Sequence, residues 1–256
     1  YKENKNIEFN KNIIFKNINY IYPNSNEPIL KNINIEIAAN SVVGIAGETG
    51  SGKTTMADVI LGLLETDKGE ILIDGKNISY KNIHQWQKMI GYVPQKIYLS
   101  DESIYSNIAF GEQYTDIDKN AVHSAAKISK IDDFISNELP NGYETIVGER
   151  GSRLTGGQVQ RIGIARALYH KPKVLVLDEA TSALDTLTED EIMKQILKFD
   201  TKITIILIAH RLNTLRKCSE IYFFEKGKLN NKGSFEYLMK NEQKFNSMIK
   251  LIEDKK

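Results

Sequence analysis

Two glycine-rich stretches carry the residue types that hold anions. The first, GETGSGKTT, sets Gly47, Gly50 and Gly52 around Glu48, Thr49 and Ser51 and runs into Lys53, Thr54 and Thr55. Glycines at this spacing let backbone N–H groups close around phosphate oxygens. The lysine then reaches the outer phosphates, and the Thr54 hydroxyl is placed to hold Mg²⁺. The second stretch, RLTGGQVQRIGIARAL over Arg153–Leu168, puts Gly156 and Gly157 in front of a helical pattern. Free N–H groups at a helix start point at a negative ligand. The chain therefore has two loops suited to phosphate, well separated in sequence, and one nucleotide would leave one of them without a task.

Acids and other polar residues stand at the ends of apolar runs. VLVLDE ends on Asp178, suited to orienting a Mg²⁺ shell, and Glu179, suited to taking a proton from an attacking water. ITIILIAH ends on His210, a candidate contact to a terminal phosphate, and MIGYVPQ ends on Gln95, which on its own reads as a loop residue. With SVVGIAG, which breaks into the first glycine loop, these continuous apolar runs read as strands buried on both faces of a parallel sheet, with the shorter MIGYVPQ also readable as a subdomain border. Ligands of such sheets bind outside the carboxyl ends of the strands. TTMADVILGLL after the loop reads as the helix that this motif requires. NIIFKNINYIYP and the alternating ILKNINIEIAAN add β-type runs ahead of it. From about Ser79 to Arg166 the pattern turns helical, as in DKNAVHSAAKISKIDDFISNEL, with Pro140–Gly142 ending a helix.

The bulk numbers bound the class. The chain has 256 residues, 41% hydrophobic and 26% charged, which suits a globular domain with a core. A net charge of +1 gives no electrostatic argument for nucleic acid, and one cysteine, Cys218, excludes an internal disulfide. No apolar run approaches the roughly 20 residues that span a bilayer. The chain opens on Tyr1 and a Lys/Asn-rich lead-in, YKENKNIEFNKN, and is expected to be cut from a longer polypeptide. At the other end, NEQKFNSMIKLIEDKK places Phe245, Met248, Ile249 and Ile252 on one helical face, expected to pack on its own domain.

As a set, GETGSGKTT, YVPQ, LTGGQ, VLVLDEATSALD and IAHR resemble the nucleotide-binding domain of ABC transporters, from about Ile13 to about Phe235. The resemblance implies an α/β fold: a P-loop NTPase core with a parallel sheet, an antiparallel β subdomain and a helical signature subdomain. The expected division is a lead-in over 1–12, the ATP-binding domain over 13–240 with its helical subdomain at about 84–166, and a C-terminal helix over 241–256. It further implies ATP and Mg²⁺ as ligands, with Thr54, Gln95 and Asp178 on the metal and Glu179 and His210 catalytic. Tyr22 of YIYP would stack on adenine. It also accounts for the second phosphate loop. Thr155, Gly156, Gly157 and Gln158 would cap the ATP held by a second copy in a head-to-tail dimer, with Asp185 in the dimer contact.

Thr155 stands where the family usually has serine and keeps the hydroxyl. Val159 stands where an arginine is common, which removes any salt bridge made there. TIVGERG, Thr145–Gly151, resembles the exporter form of the loop before the signature, which in that group touches the transmembrane part. The implied partner is therefore a transmembrane domain, expected on the same full-length chain, with this domain on the cytoplasmic face of the inner or plasma membrane. Among exporters, WQKMIGYVPQKIYLSDESIYSNIAFG is most like bacterial flippases for lipid-linked oligosaccharides or polysaccharides, and lipid A, multidrug and peptide exporters have similar stretches. Two alternatives are a separate importer ATPase subunit and an ATPase acting on nucleic acid or ribosomes. The TIVGERG loop argues against the first, and the absence of a basic patch against the second.

Overall fold

The computed structural model describes residues 7–23, 25–180, 183–199, 202–208 and 212–253. The chain forms two compact units, Tyr1–Ile90 with Thr204–Lys256, and Gly91–Ile203. Two residues of the expected lead-in are packed into the first unit. Ile7 and Phe9 are buried, Phe9 packs edge-on against Trp86 with ring centroids 6.0 Å apart, and the Ile7 N–H donates to Gln85 Oε1 at 2.9 Å. Two apolar side chains in a polar stretch are enough to anchor it.

The first unit then runs β1 (Asn12–Tyr20), β2 (Leu30–Ala38), β3 (Val42–Gly47), α1 (Lys53–Ile60), β4 (Lys68–Ile73), β5 (Lys76–Asn77) and α2 (Ile83–Gln87). β2, β1, β4 and β5 make an antiparallel sheet in that order. Ile13, Phe15, Ile33, Ile35 and Ile37 fill its buried face, and the alternation legible in β2 is the period-two pattern of a sheet with one wet side. Trp86 of α2 is buried and donates its indole N–H to Ile60 O at 2.7 Å, so the end of α1 is tied to α2.

In the second unit, β6 (Ile90–Val93) is followed by α3 (Ile104–Ile108), α4 (Lys119–Ile128), α5 (Asp132–Glu138), α6 (Gly156–Tyr169), β7 (Val174–Asp178) and α7 (Thr186–Phe199). β6 lies beside β7, and α6 packs against α3 and α4. The helical block is thus interrupted by a strand and by a break between α4 and α5, where Lys130 takes a left-handed φ of 58° and ends the first helix.

The chain returns to the first unit through β8 (Thr204–Ile208), α8 (Leu212–Leu215), β9 (Glu220–Glu225), β10 (Lys228–Gly233), α9 (Phe235–Asn241) and α10 (Gln243–Glu253). β3 runs parallel to both β8 and β9, and β10 closes antiparallel on β9. Every residue of β8 is buried, as the unbroken apolar run requires. Phe245 and Ile249 of α10 are fully buried, with Phe245 edge-on to Phe223 of β9 at 5.6 Å and to Phe235 of α9 at 5.7 Å. The C-terminal helix therefore packs on its own unit; the side chain of Ile252 lies outside those described. Among the described residues, no helix is long and apolar enough to cross a membrane.

Candidate active site

The first unit carries the phosphate loop. β3 ends at Gly47, where an added Cβ would lie 2.4 Å from Phe224 O and 2.6 Å from Ser51 Oγ, so no larger residue fits between strand and loop. The chain then turns through Glu48, Thr49 and Gly50, all exposed, and is pinned from below: Ser51 N–H donates to Glu48 O at 3.1 Å, and Gly227 N–H to Ser51 O at 3.1 Å. Gly52 caps α1 at φ 102°, a conformation that favours glycine, and its carbonyl accepts Met56 N–H at 2.8 Å. Lys53 is buried and its ammonium donates to Gly47 O and Glu48 O at 2.8 Å each, holding the loop around the cation. Ser51 Oγ is buried without a hydrogen-bond partner, an unspent donor inside the loop. Thr54 is exposed at the start of α1, while Thr55 is buried with its Oγ1 3.1 Å from the Tyr22 hydroxyl. Tyr22 is exposed and packs edge-on to Tyr20 at 5.0 Å. The loosely specified tyrosine is therefore joined to the loop through Thr55.

The second unit carries the acids and the signature turn. Asp178 is the buried last residue of β7. Glu179 follows at a left-handed φ of 50°, which turns its side chain off the strand direction. Gln95, beyond the end of β6, donates its amide Nε2 to Glu179 Oε2 at 2.7 Å. The structure thus joins two residues that the sequence placed at separate strand ends, and the Gln95 nitrogen orients the Glu179 carboxylate. At the signature, Thr155 caps α6 in a reciprocal box: Gln158 N–H donates to Thr155 Oγ1 at 3.4 Å and Thr155 N–H donates to Gln158 Oε1 at 2.8 Å. Gly156 is exposed and Gly157 half-buried in this first turn, beside Ala183. Asp185 is exposed and caps α7, accepting Thr188 Oγ1–H at 2.6 Å and Thr188 N–H at 2.9 Å. The Thr188 hydroxyl holds the Asp185 carboxyl below its ordinary value. His210 lies outside the described residues.

Three residues that position these elements escaped the sequence reading. Asn107 of α3 is fully buried. Its Oδ1 accepts Ser100 N–H at 3.0 Å and Arg166 Nη2–H at 3.2 Å, and its own carbonyl accepts Arg166 Nε–H at 2.8 Å. Arg166 also donates to Tyr98 O at 2.9 Å and lies 4.7 Å from the Phe110 ring; burial lowers its pKa to about 10. Gln160 is buried in α6 and accepts the Ala183 N–H at 2.9 Å. The available signal was polar residues standing inside apolar helical runs, NIAF and IARAL.

In the second unit, the Gln95 amide oxygen and the Asp178 carboxylate could hold Mg²⁺. This all-oxygen set suits a hard cation that keeps several waters. It fits the geometry of Gln95, whose nitrogen is committed to Glu179 and whose oxygen is not.

The ABC transporter family matches residues 30–182. Over 242 residues the chain is 41% identical to the alpha-hemolysin translocation ATP-binding protein HlyB of Escherichia coli O6:H1, covering 94% of this chain and 34% of that protein. It is 42% identical over 234 residues to the leukotoxin translocation ATP-binding protein LktB of Mannheimia glucosida, covering 91% of this chain and 33% of that protein. The chain spans about a third of the length of these curated relatives. The solved structure of a bacterial Atm1-family ABC exporter with ATP bound is similar at a TM-score of 0.89 and 36% identity, over 97% of this chain and 43% of that one. The chain belongs to the ABC transporter family and is an ATPase domain of the type found in its exporters.

Proposed function

We propose that this chain drives an exporter by binding and hydrolysing ATP in a head-to-tail pair with a second copy. The observation that carries the reading is the Gln95–Glu179 hydrogen bond, which aims a proton acceptor beside the strand-end Asp178. In this account the phosphate loop and Lys53 hold the β- and γ-phosphates, Tyr22 stacks on adenine, and His210 contacts the γ-phosphate. Glu179 takes the proton of the water that attacks the γ-phosphorus, and ADP leaves. Positioning and charge neutralisation supply most of such a reaction. Mg²⁺, held by Thr54, Gln95 and Asp178, would neutralise charge on the phosphate oxygens. Thr155, Gly156, Gly157 and Gln158 cap the partner's ATP, and Asp185 lies in the contact between copies.

Closure on ATP and opening after hydrolysis would be passed to a transmembrane domain, expected on the same full-length chain, through the Thr145–Gly151 loop at the cytoplasmic side of the membrane. That loop presents Ile146, Glu149 and Arg150 to solvent. The curated relatives are named for toxin translocation, which favours a polypeptide as the exported substrate. A second reading, movement of a lipid-linked oligosaccharide, is supported by the stretch Trp86–Gly111. Glu179→Gln tests the chemistry: it is expected to keep ATP affinity and lose at least about a hundredfold in turnover, the scale of general-base catalysis. Full turnover in that variant removes Glu179 from the role of base.

A further inference from the structure

We propose that Gln160 is a positioning residue that ties the signature turn to the segment following Glu179, so that the state of one nucleotide reaches the carboxylate serving the other. The proposal rests on the paired-site reading above. In that reading the turn at Thr155–Gln158 meets the partner's ATP, whereas Glu179 acts on the ATP of its own chain.

The connection is direct. Gln160 lies one turn into α6, buried to 6% exposure, and its Oε1 accepts the Ala183 N–H at 2.9 Å. A buried amide is costly without such a partner, and this partner belongs to the chain between Glu179 and Asp185. The same residue abuts the turn itself: a Cβ on Gly156 would stand 3.4 Å from Ala183 Cβ, and one on Gly157 3.4 Å from Ala183 O. Beyond Ala183 the chain is held by buried Leu184 and by Asp185, which caps α7 through Thr188. The capping box makes the first turn of α6 stiff, so a shift of that turn moves Ala183 rather than dissipating within the helix. A packed and hydrogen-bonded contact of this kind has discrete arrangements and passes on small displacements.

The experiment measures ATP turnover against ATP concentration for the wild-type chain, Gln160→Met and Gln160→Glu. Methionine keeps the volume without the acceptor, and glutamate keeps an acceptor oxygen. Gln160→Met is expected to lower kcat by about three- to tenfold, the equivalent of one buried hydrogen bond. It is also expected to bring the Hill coefficient to ~1, as for independent sites. ATP affinity at the phosphate loop should stay unchanged, and Gln160→Glu should recover cooperativity. A Gln160→Met chain with wild-type cooperativity, whatever its kcat, overturns the proposal, because a merely structural role leaves cooperativity intact. Wild-type turnover that is non-cooperative and first order in protein overturns the paired-site reading, and the coupling with it. If Gln160→Met does not fold, hydrogen exchange at the Ala183 amide of Glu179→Gln decides. Slower exchange with ATP supports the coupling, and exchange indifferent to ATP overturns it.

Discussion

Asn107→Ala is expected to destabilise the unit around α6 by about 3–5 kcal/mol, although Asn107 touches no nucleotide in the proposed mechanism. The figure follows from which bonds have substitutes. The Asn107 side chain also donates to the carbonyls of Ser100 and Ser103, but Ser100 O accepts Glu102 N–H at 2.8 Å and Ser103 O accepts Asn107 N–H at 3.0 Å, so neither is orphaned. Three donors have Asn107 Oδ1 as their acceptor: the Ser100 N–H, the Ser100 hydroxyl, which can rotate to another partner, and Arg166 Nη2. A buried unsatisfied amide costs about 1–3 kcal/mol and a lost bond to a charged group about 1.5–3. Arg166 keeps its bonds to Asn107 O and Tyr98 O, so its guanidinium charge stays solvated by carbonyls. For a chain of this size the loss corresponds to a fall in Tm of roughly 10 °C, readable by calorimetry. Asn107→Asp keeps the acceptor oxygen but turns a second oxygen toward the Ser100, Glu102 and Ser103 carbonyls, so it is expected to recover only part of the loss. A loss below about 1 kcal/mol in the alanine variant refutes the assignment of Asn107 as the hub.

Thr155→Ala removes the capping box and should cost about 1 kcal/mol in urea unfolding, while Thr155→Ser, which keeps the hydroxyl, should be close to neutral. Lys53→Ala removes the cation that bridges Gly47 O and Glu48 O; nucleotide titration should show ATP affinity lower by at least about tenfold. Glu144 titrates below the ordinary carboxylate value of 4.5, chiefly because the Tyr114 hydroxyl donates to it and secondly through Lys119. Its contribution to stability is therefore present above pH 4.5 and fades as the pH falls through the lowered folded value. Urea midpoints of wild type and Glu144→Gln should converge on acidification, and a constant gap between them would contradict the interaction.

Strands buried on both faces were legible because their signal is local: β3, β7 and β8 are built on unbroken apolar runs. The phosphate loop was legible for the same reason, since its glycines and lysine are fixed by spacing. What depends on distant partners was not. Nothing within ISKID announces that Lys130 breaks the helix with a positive φ. Nothing near Asn107 points to Arg166, and Ile7 and Phe9 looked like linker because their burial depends on Trp86 and its surroundings far along the chain. Gln95 and Glu179 were each singled out from the sequence, but their hydrogen bond is a product of the fold. The Asp185 cap on α7, by contrast, is a short-range SALDTLT pattern that sequence alone could have given.

The most direct test of the central claim is the oligomeric state of Glu179→Gln by size-exclusion with light scattering, with and without ATP and Mg²⁺. The account expects a monomer that becomes a dimer with ATP, and it expects Thr155 and Gly157 substitutions to abolish the shift while ATP binding persists. Tight ATP binding without dimer formation, or a dimer indifferent to changes at Thr155 and Gly157, would contradict the assignment of the second phosphate loop to a partner's nucleotide.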